Sequence, residues 1–512
     1  NTRFGRNVPN EFTWPDPEPL IMSPNPRVVS RELLTRDAFV PATSLNMLAA
    51  AWIQFMTRDW FSHGDNEPKD PHEVPLEAAD KWPEHPMKVK RTRRDPTRCP
   101  MSGGPPTFTN DVTHWWDASQ VYGSDAALQK QLRSMRDGKL KLDERGRLLV
   151  AETDKGSAEL TGFITDTNWT PISLLHTLFV REHNAICDAL HAAYPEWNDE
   201  ALFSHARLIN AALMAKIHTV EWTPALLTNP TITAAMNTNW WGVLGEQVNK
   251  QLGRVVNDEI LSGIPGGHRD HFGVPYSITE EFVGVYRMHS LVPDDFTFRA
   301  LRDHSVLKSC TLHDLIGLPG AKLIDEVGIE NLLYSFGISH PGAMRLHNYP
   351  NSLRKLERFD GTTIDLATVD VLRDRERGLP RYTQFRRLFH LSVPKTFEEL
   401  TDNPDWARQL REVYGDVDQV DLLPGMLAEP LPDGMAFGDT AFRVFILMAS
   451  RRLNSDRFFT IDFTPEVYSP VGMQWIRDNT MVSVLLRHFP ALSPALLHAK
   501  NAFWPWNVVR LS

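Results

Sequence analysis

Residues 50–64, AAWIQFMTRDWFSHG, read as a helix that other elements must enclose. Ala50, Trp52, Ile53, Phe55, Met56 and Trp60 cover most of its circumference, and a helix apolar nearly all round has no face to offer water. Gln54 and Arg58 break the pattern. Four residues apart, they share one face, so an amide and a permanent cation leave a buried helix in the same direction. Apolar residues at three- and four-residue intervals predict further helices over 171–194, 199–222, 278–292, 439–459 and 472–489. Alternating strand patterns are few and short. Proline- and glycine-rich connections at 64–112 and 261–277 are too long for simple turns. No fixed-period repeat and no compositional break divides the chain, which predicts a mostly α fold: one large helical domain over residues 1–512, wrapped in long irregular loops.

Of the 512 residues, 42 % are hydrophobic and 23 % charged, which is ordinary for a globular protein and excludes a disordered chain. The net charge of −10 is spread without a basic stripe, so a nucleic-acid partner is not expected. No apolar run reaches the ~18–20 residues of a membrane span. Cys99, Cys187 and Cys310 are isolated from one another and from zinc-type spacings, which favours a reduced, cytoplasmic setting. The sequence opens at Asn1 without a recognisable leader, and a trimmed leader is compatible with that start.

Two other stretches carry chemistry. In EEFVGVYRMHSLVPDDF, Tyr286 and His289 are three apart within an apolar helical pattern, which places a phenol and an imidazole toward the interior together. In THWWDASQVYGSD, oxygen donors at Thr113, Asp117 and Ser119 alternate with aromatic residues, as in a loop folded around a hard cation. The same pattern also suits a polar turn that caps the next helix.

These stretches, with RFGRNVP, LLHTLFVREHNAICDAL, AKIHTVEWTPALL, RERGLPRYTQFRR and ASRRLNSDRFFT in order along nearly the whole chain, resemble the haem-dependent peroxidase and cyclooxygenase superfamily, specifically its fatty-acid α-dioxygenase branch. The resemblance implies a helical haem-peroxidase-like domain in which the 44–61 helix and the Tyr286 segment face each other across haem b. It implies His289 as the proximal iron ligand and Tyr286 as the residue oxidised to a radical. Asp59, Thr113, Trp115 through its carbonyl, Asp117 and Ser119 match the family's calcium ligands. His218 and Thr223, with Arg451 or Arg452, match the residues that hold a fatty-acid carboxylate, and an arginine fork suits that planar anion. The implied partners are a fatty acid, dioxygen and a peroxide, and a lipid substrate is compatible with peripheral membrane contact.

Two positions depart from the family pattern. Arg58 stands where the family has a distal histidine four residues beyond the glutamine matched by Gln54, and a guanidinium cannot act as a base. Thr383 stands where the family has an asparagine near the proximal histidine, so a weaker partner for His289 is expected there. Neither change touches the carboxylate residues. The sequence therefore predicts an oxygenase that adds dioxygen at the α-carbon of fatty acids to give 2-hydroperoxy acids. Its alternatives are a peroxidase-like haem enzyme on another substrate, or a haem- or lipid-binding homologue with catalysis impaired by Arg58. His268 and His271 lack carboxylate or cysteine companions for a metal, and His176 and His183 read as structural.

Overall fold

The computed structural model describes residues 2–99, 101, 103–150, 163–164, 168–358 and 361–509. Six helices build the region of interest: α1 (Met47–Trp60), α2 (Thr170–Ala193), α3 (Asp199–Ile217), α4 (Glu280–Val285), α5 (Leu366–Glu376) and α6 (Asp439–Ser455). α1 is sheathed as its composition requires, packing on α2 and on the helix Ile329–Ile338. Asn46 caps it, accepting from the Ala49 N–H, and its amide donates to the carbonyls of Ala502 and Trp504, which ties the helix start to the C-terminal segment. Among the described residues the sheets are all two-stranded. One hydrophobic core runs from Phe4 to Trp506 through all six helices.

Several sequence expectations are corrected. The 278–292 segment is not one helix: α4 stops at Val285, Tyr286 is its C-cap at φ −87°, ψ 11°, and His289–Leu291 forms a separate 3-10 turn. Residues 472–489 divide into Pro470–Asp478 and Met481–His488, because Thr480 accepts from the Ser483 N–H and starts a new helix. The 199–222 helix changes pitch at His218, where His218–Trp222 is a π-helical turn. Within the 64–112 connection, the strands β1 (Glu67–Val74) and β2 (Met87–Arg91) form an antiparallel pair.

α5 is the least expected element. Asp370, Arg373, Asp374, Arg375 and Glu376 are all buried, although charged residues are rarely so. Each has a counter-charge: Arg287 binds Asp370 and Asp374 at 2.7 and 3.0 Å, Arg373 binds Glu376 at 2.6 Å, and Arg375 binds Asp421 at 2.7 Å. His72 of β1 reaches Glu376 at 3.0 Å. The helix thus joins the Tyr286–His289 segment to the strand pair and to the segment before Leu422–Ala428. Asp421→Ala leaves Arg375 buried without its partner and is expected to lower stability by about 3–5 kcal/mol in denaturant unfolding. A loss below about 1 kcal/mol, the range of an exposed pair, would show that this ion pair does not hold α5 in place.

Candidate functional site

A cleft of about 570 Å³ opens between α1 and the segment that follows α4. Ala50, Ile53, Gln54 and Thr57 line one wall, and Val283, Tyr286, Met288 and His289 line the other. Its volume falls within the usual range for small-molecule and cofactor sites. Gln54 is exposed into this space, which explains an amide on an otherwise enclosed helix. Arg58 is not among the lining residues; its guanidinium donates to Asn168 Oδ1 at 2.7 Å, beside the cleft residue Trp169.

On the opposite wall, His289 is set by a partner that sequence reasoning missed. Its Nδ1 lies 2.8 Å from Asp370 Oδ2. Asp370 also accepts from the Tyr349 hydroxyl at 2.9 Å and from Arg287. Although burial opposes it, the adjacent His289 ring, the Arg287 guanidinium and the hydrogen bond from Tyr349 hold this carboxyl down at about 2. An ionised acceptor on Nδ1 makes that nitrogen the N–H and leaves Nε2 with its lone pair, on a half-exposed ring that lines the cleft. That is the arrangement of a metal-ligating histidine. Thr383 has no part in it: its hydroxyl is buried and donates to Asp418 at 2.6 Å, so the expected weaker partner for His289 is replaced by a carboxylate.

Tyr286 stands between the cleft and a second, closed cluster. Its ring stacks on Phe282 at 4.1 Å and meets Trp60 edge-on at 6.0 Å. Its hydroxyl is buried with no hydrogen-bond partner, and burial, partly opposed by the charge of Arg452, raises its pKa well above the usual phenol value. Around the same Trp60 ring lie Arg452, with its guanidinium 4.3 Å from the ring centroid, and His218 at 5.2 Å between centroids. Arg452 is 1 % exposed; its Nε donates to the Tyr276 hydroxyl at 3.1 Å and its Nη2 has no partner. His218 Nε2 is likewise buried without a partner, and burial followed by Arg452 pushes the imidazole well below its ordinary pKa, so it is neutral. Two unsatisfied donors within a buried aromatic shell suit a carboxylate, because unmet buried polar groups are costly.

The structure separates the two adjacent arginines. Arg452 belongs to the cluster, whereas Arg451 turns outward, over the Phe272 ring and toward the His271 carbonyl at 3.4 Å. Thr223 is buried beside His218, with its hydroxyl donated to the His218 carbonyl at 2.8 Å. It therefore offers lone pairs rather than a donor.

At the end of α1, Asp59 Oδ1 accepts from the Ser119 N–H at 2.6 Å and from its hydroxyl at 2.8 Å. Asp59 Oδ2 is buried without a partner. Burial, then the neighbouring Asp117, raise its pKa well above the carboxylate value. Thr113 Oγ1 accepts from the Trp115 N–H at 3.1 Å, which curls the loop locally. Among the described residues no group of three or more His, Cys, Asp or Glu side chains could hold a metal. A cation here would draw on two carboxylates together with hydroxyl and carbonyl oxygens, a donor set that suits a hard ion.

Other histidines and cysteines are accounted for structurally. His183 lies between the Tyr122 hydroxyl and the Gly138 carbonyl. His63 binds Glu280 at 3.0 Å, joining the end of α1 to α4. His176 packs edge-on against Phe55, and both its nitrogens are buried without partners. Burial raises the thiols of Cys187 and Cys310 to about 12 and about 11, which makes them poor nucleophiles. Asp370, Tyr276 and Trp60 are the site residues that sequence reasoning did not name. Asp370 lies 81 residues from His289 and carries no local signal.

Asp370→Asn replaces an anionic acceptor by a neutral one and weakens the basicity of His289 as a ligand. If His289 holds a haem iron, as the sequence resemblance implies, the expected result is an iron midpoint potential raised by about 60 mV or more, a tenfold change for one electron. Spectroelectrochemical titration measures it, and an unchanged potential would exclude Asp370 as the group that sets His289.

The animal haem peroxidase family model matches residues 1–503. The chain is 40 % identical to an α-dioxygenase of rice (Oryza sativa) over 99 % of its own length and 83 % of that protein, and 39 % identical to α-dioxygenase 2 of Arabidopsis thaliana over 98 % and 81 %. The crystal structure of a tyrosine-to-phenylalanine variant of rice fatty acid α-dioxygenase with palmitic acid superposes with a TM-score of 0.91 at 38 % identity, covering 99 % of this chain and 84 % of that one.

Proposed function

Since the chain belongs to the animal haem peroxidase family, and all but a few of its residues align with α-dioxygenases, we propose that it is a haem-dependent fatty-acid α-dioxygenase: it adds dioxygen at the carbon next to the carboxylate and forms a 2-hydroperoxy acid. The position of Tyr286 carries this reading. One side chain lines the cofactor-sized cleft, and the same side chain shares the Trp60 ring with two unsatisfied carboxylate donors.

His289 would hold the haem iron through Nε2, and Arg358 brings a cation to the cleft for the porphyrin's carboxylates. Bound haem, with a peroxide, supplies a one-electron oxidant. The residues of the chain do the rest. Arg452 and His218 receive the acid's carboxylate, one cation for one anion plus a neutral donor, so the buried pair carries no excess charge. Fixing that end makes the adjacent carbon the one nearest Tyr286, and position rather than intrinsic reactivity selects the hydrogen. Oxidised Tyr286, as a neutral tyrosyl radical, takes this hydrogen atom and regains its O–H bond; dioxygen adds to the resulting carbon radical, and the peroxyl radical takes the hydrogen atom back from the Tyr286 hydroxyl, which gives the hydroperoxide and restores the tyrosyl radical. The aromatic walls of Phe282, Trp60 and Phe445 exclude water from that step.

Calcium is the cation we assign to Asp59, Asp117, Ser119, Thr113 and the Trp115 carbonyl. The unpartnered Oδ2 of Asp59 supports it, and the ion would join the end of α1 to the 113–119 loop.

Tyr286→Phe is expected to abolish oxygen uptake with palmitic acid while leaving the haem absorption band intact. Residual uptake above about one per cent of the unmodified rate would contradict the radical role. Arg58 governs a separate step. A base here would accept the peroxide's proton, which arginine cannot do, so Arg58→His is expected to accelerate the spectral change on adding peroxide by about 10²-fold or more. No acceleration in stopped-flow traces would show that proton transfer by residue 58 does not limit activation.

A further inference from the structure

Within the carboxylate site proposed above, on which this inference rests, one contact is unexplained by packing alone. Trp52, on α1, directs its indole Nε1 to His218 Nδ1 at 3.2 Å, and both side chains are buried. We infer that Trp52 is a positioning residue for the substrate: its N–H holds His218 in the neutral tautomer that carries its proton on Nε2, and so makes the histidine a donor to the acid's carboxylate.

An indole nitrogen can only donate, so the nitrogen it faces must present a lone pair. A neutral imidazole has one lone pair and one N–H, and the proton must therefore sit on Nε2, the nitrogen left buried without a partner. The other tautomer would set two N–H groups against each other at Nδ1 and turn a lone pair toward an incoming anion. The imidazolium would keep that first conflict and add a second positive charge beside Arg452, the charged group that acts on His218. Trp60, Trp116 and Phe445 face the ring from the remaining sides and Trp222 stacks on it at 4.6 Å, and none of them supplies a counter-charge.

Trp52 is itself fixed. Its ring packs against Phe55, Phe179 and Phe503, with centroids 5.9, 5.5 and 5.5 Å away. It lies in the same helix as Gln54 and Asp59, so α1 sets the protonation state of the substrate site as well as lining the cleft.

The test compares holoenzyme variants with palmitate. Trp52→Phe keeps an aromatic ring and removes the N–H. It is expected to raise KM about tenfold, the cost of losing a defined hydrogen bond to a charged group, and to leave kcat within about twofold. His218→Ala should raise KM at least as much, and adding Trp52→Phe to it should change KM by less than about twofold, because the indole then has no imidazole to orient. A packing role would add its full effect in both backgrounds and would overturn the inference. If His218→Ala raises KM and Trp52→Phe does not, the tautomer lock is wrong and the carboxylate site stands. If His218→Ala leaves KM unchanged, the carboxylate site itself is wrong and the lock falls with it. A measurement that leaves Trp52 in place uses the ferrous carbonyl holoenzyme with 15N-labelled histidine, assigned through His218→Gln. The His218 signals should be those of a protonated Nε2 and an unprotonated Nδ1, and a protonated Nδ1 would refute the proposal.

Discussion

The carboxylate of Asp370 is the point on which this architecture turns. It sits in a helix buried on every side, and a lone ion there would be prohibitively costly. Three donors resolve that cost: His289 and Arg287, two residues apart in the cleft wall, and Tyr349 from another stretch of chain. The chain leaves α-helical geometry at Tyr286, and these bonds hold the two functional side chains in register across that break. Were the segment a continuous helix, the spacing of residues 286 and 289 would alone fix their relation. Here ion pairing to α5 does so.

α1 makes the complementary contribution. Its fourteen residues meet a different demand on each face: Gln54 the cleft, Trp52 the back of the substrate histidine, Asp59 the 113–119 loop, and Trp60 the ring shared by Tyr286, His218 and Arg452. That distribution explains the composition that first marked the segment. An isolated amphipathic helix keeps one face for solvent, whereas here the solvent face has been taken over by a site.

Helical class and most helix positions were legible in the sequence because apolar periodicity records which face is buried. Breaks within helices were less so, since Thr480 and the Tyr286 cap act through local hydrogen bonds that leave the hydrophobic pattern running. Arg451 and Arg452 could not be told apart by motif. Consecutive helical residues point about 100° apart, and only packing decides which one faces inward. Asp370 was invisible for another reason: its meaning lies in a contact across 81 residues, and its own neighbours in sequence are charges paired elsewhere. The replacement of the expected weak partner, the Thr383 hydroxyl, by an ionised carboxylate therefore emerged only from the fold.

The two chemical steps are physically separate, and this limits what the departure at Arg58 can do. Peroxide activation depends on groups around the cleft, where Arg58 is turned to Asn168 and Gln54 is the α1 amide in the wall. In the proposed reaction, the carbon that loses its hydrogen would be set by Arg452 and His218, held behind the Trp60 ring in a buried aromatic shell. Tyr286 joins them by its position. On the proposed mechanism, a change on the cleft side would alter how often the phenol is oxidised without moving the carboxylate, so rate and regioselectivity would drift independently in such a fold. The anionic partner of His289 acts on the rate side as well, because greater basicity at the ligand stabilises the oxidised metal. On the proposed mechanism, Arg58, beside the cleft on α1, and Asp370, behind the opposite wall, would bear on the same step, away from the Arg452–His218 cluster.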